Sequence, residues 1–140
     1  MMRLLNKVSI VTGAGRGIGY ATVKKFLEEG SFVVACDISP ELVNRLKEEL
    51  SFDQRGMAFL VDVTESAAVE KVVETVIDNY GRIDVLVNNA GITNDNLLIR
   101  MDDSQWFDTI ETNINSLYRI SKTFLKSTSG FSCSTGLKLD

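Results

Sequence analysis

Thr12-Gly13-Ala14-Gly15-Arg16-Gly17-Ile18-Gly19 sits between an apolar run and an amphipathic one. A strand that passes into a helix through such a loop presents free backbone N–H groups and the positive end of the helix dipole, which together receive a phosphate. Gly13 allows the tight turn, and Gly17 and Gly19 let the helix approach both the strand and a ligand. The spacing is Gly-x-x-x-Gly-x-Gly, so on the loop alone an ordinary glycine-rich connection is also open. Asp37 follows Gly19 by eighteen residues, where an acid can accept hydrogen bonds from an adenosine ribose. Its charge repels a 2′-phosphate, since like charges about 4 Å apart cost roughly 1 kcal/mol in water and about 4 kcal/mol at a surface dielectric. Asp37 therefore favours NAD(H), while the cation of Arg16 keeps NADP(H) open.

Two further groups carry donors and acceptors. Asp62-Val63 could bond an adenine amino group and pack on its ring, or could be a turn acid before a capped helix. In Asn88-Asn89-Ala90-Gly91 the amides can bond a cofactor or tie loops together, and the small Ala90 and Gly91 admit a ligand to the backbone. An ordinary Asn-Gly loop is the alternative there.

The elements that position these groups read as four strand–helix alternations. Lys7–Thr12, Phe32–Asp37, Met57–Val61 and Ile83–Val87 are β-rich apolar runs. Between them lie amphipathic segments over Gly17–Glu29, Glu41–Leu50 and Glu65–Tyr80, with helical spacing of apolar residues. Ser39-Pro40 and Thr64 provide start signals, and Gly30 and Gly81 provide stops. A long helix is expected from Gln105 to about Lys126, capped by Ser104, with Phe107, Ile110, Ile114, Leu117 and Leu125 as its apolar face and Tyr118 and Phe124 flanking it. Alternation of this kind implies a parallel sheet with right-handed crossovers. The strands are continuously apolar, as expected where helices cover both faces. The motifs then fall at the carboxyl ends of consecutive strands, where open α/β sheets bind ligands.

Composition narrows the classes. At 140 residues one domain is the expectation. The net charge of −4 and the absence of a basic stripe argue against nucleic acid as a partner. No apolar run reaches the roughly 20 residues of a membrane span, and no signal peptide is legible at the start, so a cytoplasmic protein is expected. Cys36 and Cys133 are the two cysteines and are read as free thiols. The chain has no histidine, the commonest metal ligand and general base, and no metal site is expected.

Taken together, these motifs resemble the short-chain dehydrogenase/reductase family over Asn6 to about Lys126. The run Asn88–Met101, Trp106 and Glu111-Thr112-Asn113 is most similar to its bacterial 3-oxoacyl-[acyl-carrier-protein] reductase branch. The resemblance implies a Rossmann-like doubly wound α/β sheet in strand order 3-2-1-4. It implies cofactor contacts at Gly13, Ala14, Gly15, Arg16, Ile18, Asp37, Asp62, Val63 and Asn89, to which the loop reading adds Thr12, Gly17, Gly19, Ala90 and Gly91. It implies a catalytic role for Asn113 in supporting a proton-relay water, where the residues alone suggest a solvated helix position. Asn94 stands where the branch commonly has Arg, and Asp37 is unusual for a branch that typically uses NADPH. The implied partners are a nicotinamide dinucleotide and an acyl-carrier-protein thioester.

The family's catalytic Ser strand and Tyr-x-x-x-Lys helix are not matched by residues 127–140, which read as an irregular tail after a half-domain over 1–126. The expectation is a half that binds nucleotide without the proton donor, either a natural short form or the product of a cut gene. Tyr20–Lys24 and Tyr118–Lys122 fit the Tyr-x-x-x-Lys spacing but fall in the wrong elements and are read as packing or surface residues. Strand Ile83–Val87 is expected to be an unpaired edge, and with the uncovered long helix it leads to an expectation of self-association.

Overall fold

The structure, a computed structural model, describes residues 1–127 and the backbone of 132–133; side chains of 51–53 are outside that description. In chain order the elements are β1 (Val8–Thr12), α1 (Gly17–Glu28), β2 (Phe32–Asp37), α2 (Pro40–Asp53), β3 (Gly56–Leu60), α3 (Ser66–Tyr80) and β4 (Val85–Val87). A 3₁₀ turn (Leu98–Arg100), α4 (Asp103–Ile110), a π turn (Glu111–Asn115), α5 (Ser116–Ser127) and β5 (Ser132–Cys133) follow.

The strands form one parallel sheet in the order β3-β2-β1-β4-β5, so the first four stand in the expected order 3-2-1-4. β1 lies at the centre and is buried along its whole length. Alternate side chains of a strand point to opposite faces, and both faces are covered. Val33 and Ala35 join Val11 against Val23 of α1 and Val43, Leu46 and Leu50 of α2. Val34 and Cys36 join Ile10 and Leu86 against Val69, Val72, Val73 and Val76 of α3 and Ile120 and Phe124 of α5. Burying each such aliphatic side chain is worth about 1.5–3 kcal/mol, and a continuous apolar strand is what two covered faces require.

Four expectations change. β4 is not an edge: Val85 and Leu86 pair with Ser132 and Cys133, within the stretch read as an irregular tail. The remainder of that stretch, 128–131 and 134–140, lies outside the described residues. Second, the long helix is not capped by Ser104. Asp102 accepts from the Gln105 N–H at 2.8 Å, and the Gln105 side chain accepts from the Asp102 N–H at 3.2 Å. This reciprocal capping box satisfies two end donors. Third, the Thr64 side chain does not cap α3. Its N–H and hydroxyl both donate to Asp62 Oδ1, at 2.9 and 2.7 Å. Fourth, the apolar face of the long helix is rotated. Ile120 and Phe124 enter the core, while Phe107, Ile114 and Leu125 are exposed. Which apolar residues turn inward is set by where the helix packs, and Ile120 and Phe124 are the ones that share the core with Val69, Val72, Val73 and Val76 of α3.

Candidate dinucleotide site

The strand tips converge on one cleft of about 680 Å³. β1 leads into the glycine loop, where Gly13 has φ +60° and Gly17 has φ +56°, the left-handed conformation that glycine tolerates. Arg16 is the N-cap of α1, whose first backbone N–H groups have no intrahelical partner. Gly13, Arg16, Gly17 and Ile18 line the cleft on this side, with Asp37 from the tip of β2. Asp62 and Val63, following β3, and Asn89, Ala90 and Gly91, following β4, complete the lining.

The other proposed contacts stand behind this surface. Thr12 is buried, and its Oγ1 accepts from the N–H groups of Asn89 and Ala90, both at 3.0 Å. That hydroxyl sews the tips of β1 and β4 together. Asn89 completes the seam by donating Nδ2–H to the Gly13 carbonyl at 3.0 Å. Ala14 is fully buried and its N–H donates to the Cys36 carbonyl at 2.9 Å. Gly19 lies beneath the loop, where a Cβ would stand 2.1 Å from the Gly13 carbonyl oxygen. Gly15 is similarly confined, since a Cβ there would come within 2.6 Å of Leu42 Cβ.

Asp37 is the pivot of this arrangement. Its carboxylate is buried and accepts from the Gly15 N–H at 2.8 Å and the Ser39 N–H at 3.0 Å. Each oxygen keeps a second lone pair for a hydroxyl donor. Beneath it, burial and the neighbouring Asp37 charge push the Cys36 thiol up to about 12, so Cys36 remains a protonated core group.

Asn113 does not line the cleft. It lies in the π turn, and its side-chain amide is paired in both directions with Ile92: the Ile92 N–H donates to Oδ1 and Nδ2–H donates to the Ile92 carbonyl, each at 2.8 Å. This clamp fastens the loop after β4 onto the long helix. Asn94 reinforces it, donating to the Gln105 carbonyl and to Thr109 Oγ1 at 3.1 Å. Neither Tyr-x-x-x-Lys pair reaches the cleft. The Tyr20 hydroxyl donates to Glu49 at 2.8 Å, and that bond raises its pKa. Tyr118 is exposed and accepts from Lys122 Nζ at 3.1 Å, which lowers its pKa. It faces a separate hollow between α3 and α5.

Several wall residues stand outside the expected cofactor contacts. Ile38, Val61, Thr64 and Ile92 add apolar and hydroxyl surface, and Asp108, Glu111 and Thr112 bring α4 and the π turn to the rim. Glu111 is ion-paired with Arg119, which, with a hydrogen bond from Asn115, lowers its pKa. Helical spacing gives no reason to place Asp108 or Thr112 opposite Asp62, because that placement depends on how the long helix crosses the sheet.

Comparison with known proteins agrees with this geometry. The family described as short chain dehydrogenase matches residues 7–133. The chain is 40% identical over 121 residues to the 3-oxoacyl-[acyl-carrier-protein] reductase FabG of Haemophilus influenzae, covering 86% of this chain and 49% of that protein. It is 43% identical over 122 residues to the protein of the same name from Thermotoga maritima, covering 86% and 50%. The chain thus spans about half the length of these relatives. A short chain dehydrogenase from Mycobacterium smegmatis superposes with a TM-score of 0.85 at 32% identity, over 91% of this chain and 54% of that one. The sheet order, the glycine loop and the family match lead to one conclusion: this chain belongs to the short-chain dehydrogenase family.

Proposed function

We propose that the cleft holds the adenosine and pyrophosphate portion of NAD(H) or NADP(H), as the cofactor-binding half of an oxidoreductase that interconverts a carbonyl and an alcohol. The observation that carries this reading is the single cleft in which the glycine loop, Asp37, Asp62-Val63 and Asn89-Ala90-Gly91 meet. The residues fit such a ligand. Gly17 keeps its outer side open, with nothing within 4 Å of where a Cβ would stand, and the α1 N-terminus beside it favours phosphate. Asp37 takes the ribose hydroxyls and so favours NAD(H), with Arg16 as the competing cation for a 2′-phosphate. Asp62 accepts from the adenine amino group and Val63 packs on the ring. Thr12, Ala14, Gly15 and Gly19 act from behind, by fixing the loop. When bound, the nicotinamide supplies or accepts hydride. Asn113 is the residue proposed to support a proton-relay water, and with its side-chain amide paired to Ile92 its main chain is the group left to do so. The names of the relatives make a 3-oxoacyl thioester on acyl-carrier protein the proposed substrate, and this reading carries with it a cytoplasmic location. Among the described residues no helix is long and apolar enough to cross a membrane.

Calorimetric titration with NADH, NADPH and ADP-ribose tests the reading. ADP-ribose is expected to bind, and no heat from any of the three with folded protein would refute it. The second reading, nucleotide binding without turnover by this polypeptide, is favoured by the position of Tyr20, Tyr80 and Tyr118 outside the cleft walls. Oxidation of NADH with an acetoacetyl thioester separates the two, since turnover above background would exclude the second.

We also propose that the chain self-associates. Ile114, Tyr118 and Leu125 recur at spacings of four and seven along the helix and are exposed, as are Leu97, Leu98 and Ile99. Large exposed apolar side chains recurring along one helix are the kind of surface that a second copy would cover. Light scattering at micromolar concentration is expected to show a dimer or larger species that Ile114→Lys dissociates; a monodisperse wild-type monomer would count against it.

A further inference from the structure

Arg45 lies on α2, outside every motif that pointed to the cleft, yet it reaches the glycine loop. Its guanidinium donates to the Gly15 carbonyl. It also stacks over the Tyr20 ring, 5.0 Å from the centroid, and its Nε lies 3.7 Å from Glu49 Oε1. Glu49 in turn accepts from the Tyr20 hydroxyl at 2.8 Å. The guanidinium is therefore held in one orientation by an aromatic face on α1 and a carboxylate on its own helix, and only then offered to the loop. A planar, rigid fork suits this task, whereas an ammonium would not.

The consequence follows from peptide geometry. In a trans peptide the C=O and the following N–H point in opposite directions. Fixing the Gly15 carbonyl toward α2 turns the Arg16 N–H away from α2. Among the described residues α2 supplies no wall of the cleft, whereas Arg16 and Gly17 do. One residue earlier, the Gly15 N–H is fixed on Asp37 Oδ2 at 2.8 Å. The loop is thus gripped at Gly15 from both sides, by a carboxylate on its N–H and a guanidinium on its C=O.

We propose that Arg45 is a positioning residue for the dinucleotide's phosphates: it aims the Arg16 N–H at the pyrophosphate by holding the Gly15 carbonyl from α2. This rests on the dinucleotide reading above. Arg45 touches no cofactor atom in this role; its effect is transmitted by the orientation of one peptide unit. Side chains that fill the same space without donating to Gly15 would leave that unit free to rotate.

The test compares ligands with and without the pyrophosphate in the full chain. Arg45→Met keeps apolar contact with Tyr20 and removes the donor. It is expected to weaken ADP-ribose binding about tenfold, the effect of losing one hydrogen bond from the Arg16 N–H to the charged pyrophosphate, while adenosine binding stays within about twofold of wild type. Arg45→Lys, which can donate but cannot stack as a plane, is expected to fall between. Backbone ¹⁵N relaxation should show the amides of Arg16 and Gly17 gaining mobility in Arg45→Met while β1 and α3 do not change. Equal loss of adenosine and ADP-ribose affinity would mean a general packing role and overturn the proposal, as would unchanged ADP-ribose affinity or unchanged loop amides. Failure of the wild-type chain to bind ADP-ribose would refute the dinucleotide reading itself, a result distinct from a variant that binds as the wild type does.

Discussion

Gly19→Ala is expected to lower stability by about 2–3 kcal/mol, at the upper end of the range for overpacking a tight site, and to weaken ADP-ribose binding by about a hundredfold or more. The added methyl would stand 2.1 Å from the Gly13 carbonyl oxygen and 2.6 Å from Asn89 Nδ2. Those two atoms are bonded to each other at 3.0 Å, so the methyl cannot be accommodated without opening the seam between the tips of β1 and β4. Neither neighbour is the free end of a long side chain that could swing aside. Gly17→Ala is the matched control for stability in the unliganded chain. It meets no atom and carries only the cost of a left-handed conformation at φ +56°, about 1–2 kcal/mol. Urea unfolding reads both variants, and calorimetry reads Gly19→Ala. Wild-type stability and affinity in Gly19→Ala would mean that α1 does not approach β1 as closely as described.

Asp37→Ala is expected to shift binding from NADH toward NADPH. The carboxylate charge opposes a 2′-phosphate, by about 4 kcal/mol at 4 Å and a surface dielectric, and its oxygens would bond the ribose hydroxyls of NAD(H). Removing it should weaken NADH binding by about tenfold to a hundredfold and strengthen NADPH relative to NADH, with Arg16 remaining to meet the phosphate. The variant also releases the N–H groups of Gly15 and Ser39, charge-assisted bonds worth about 1.5–3 kcal/mol each, so the protein should be less stable. The ratio of the two affinities separates these effects, because loosening the loop weakens both ligands alike. An unchanged ratio would reduce Asp37 to a tie between loop and strand.

Much of this architecture is legible in the sequence because it rests on local rules. Phe32–Asp37 reads as a buried strand from the apolar run that it carries, and the structure pairs it on both sides. Ser39-Pro40 marks the start of α2, where the Ser39 hydroxyl accepts from the Leu42 N–H, and Gly81 ends α3 at φ +71°. The cleft is legible because its motifs share one address, the carboxyl end of a parallel sheet. The features that escape the sequence depend on partners that local pattern does not name. Asp102 displaces Ser104 as the cap because Gln105 can reach back to it, a choice that the sequence alone leaves open. Apolar spacing misplaces the inward face of the long helix because it does not say where α3 and the sheet will meet that helix. The pairing of Asn113 with Ile92, the reach of Arg45 to Gly15 and the strand at Ser132–Cys133 join positions whose proximity no local pattern encodes.

The widened turn at Glu111–Asn115 makes this segment intolerant of changes in length while leaving it open to changes in residue type. Upstream it is fastened at Asn113, and downstream it is wedged by Phe124, which is 2% exposed. Excising a single position would restore a regular helix but swing everything beyond it by about 100°, withdrawing either the wedge or the fastening. Divergent versions of this stretch should therefore differ by substitution and keep their residue count.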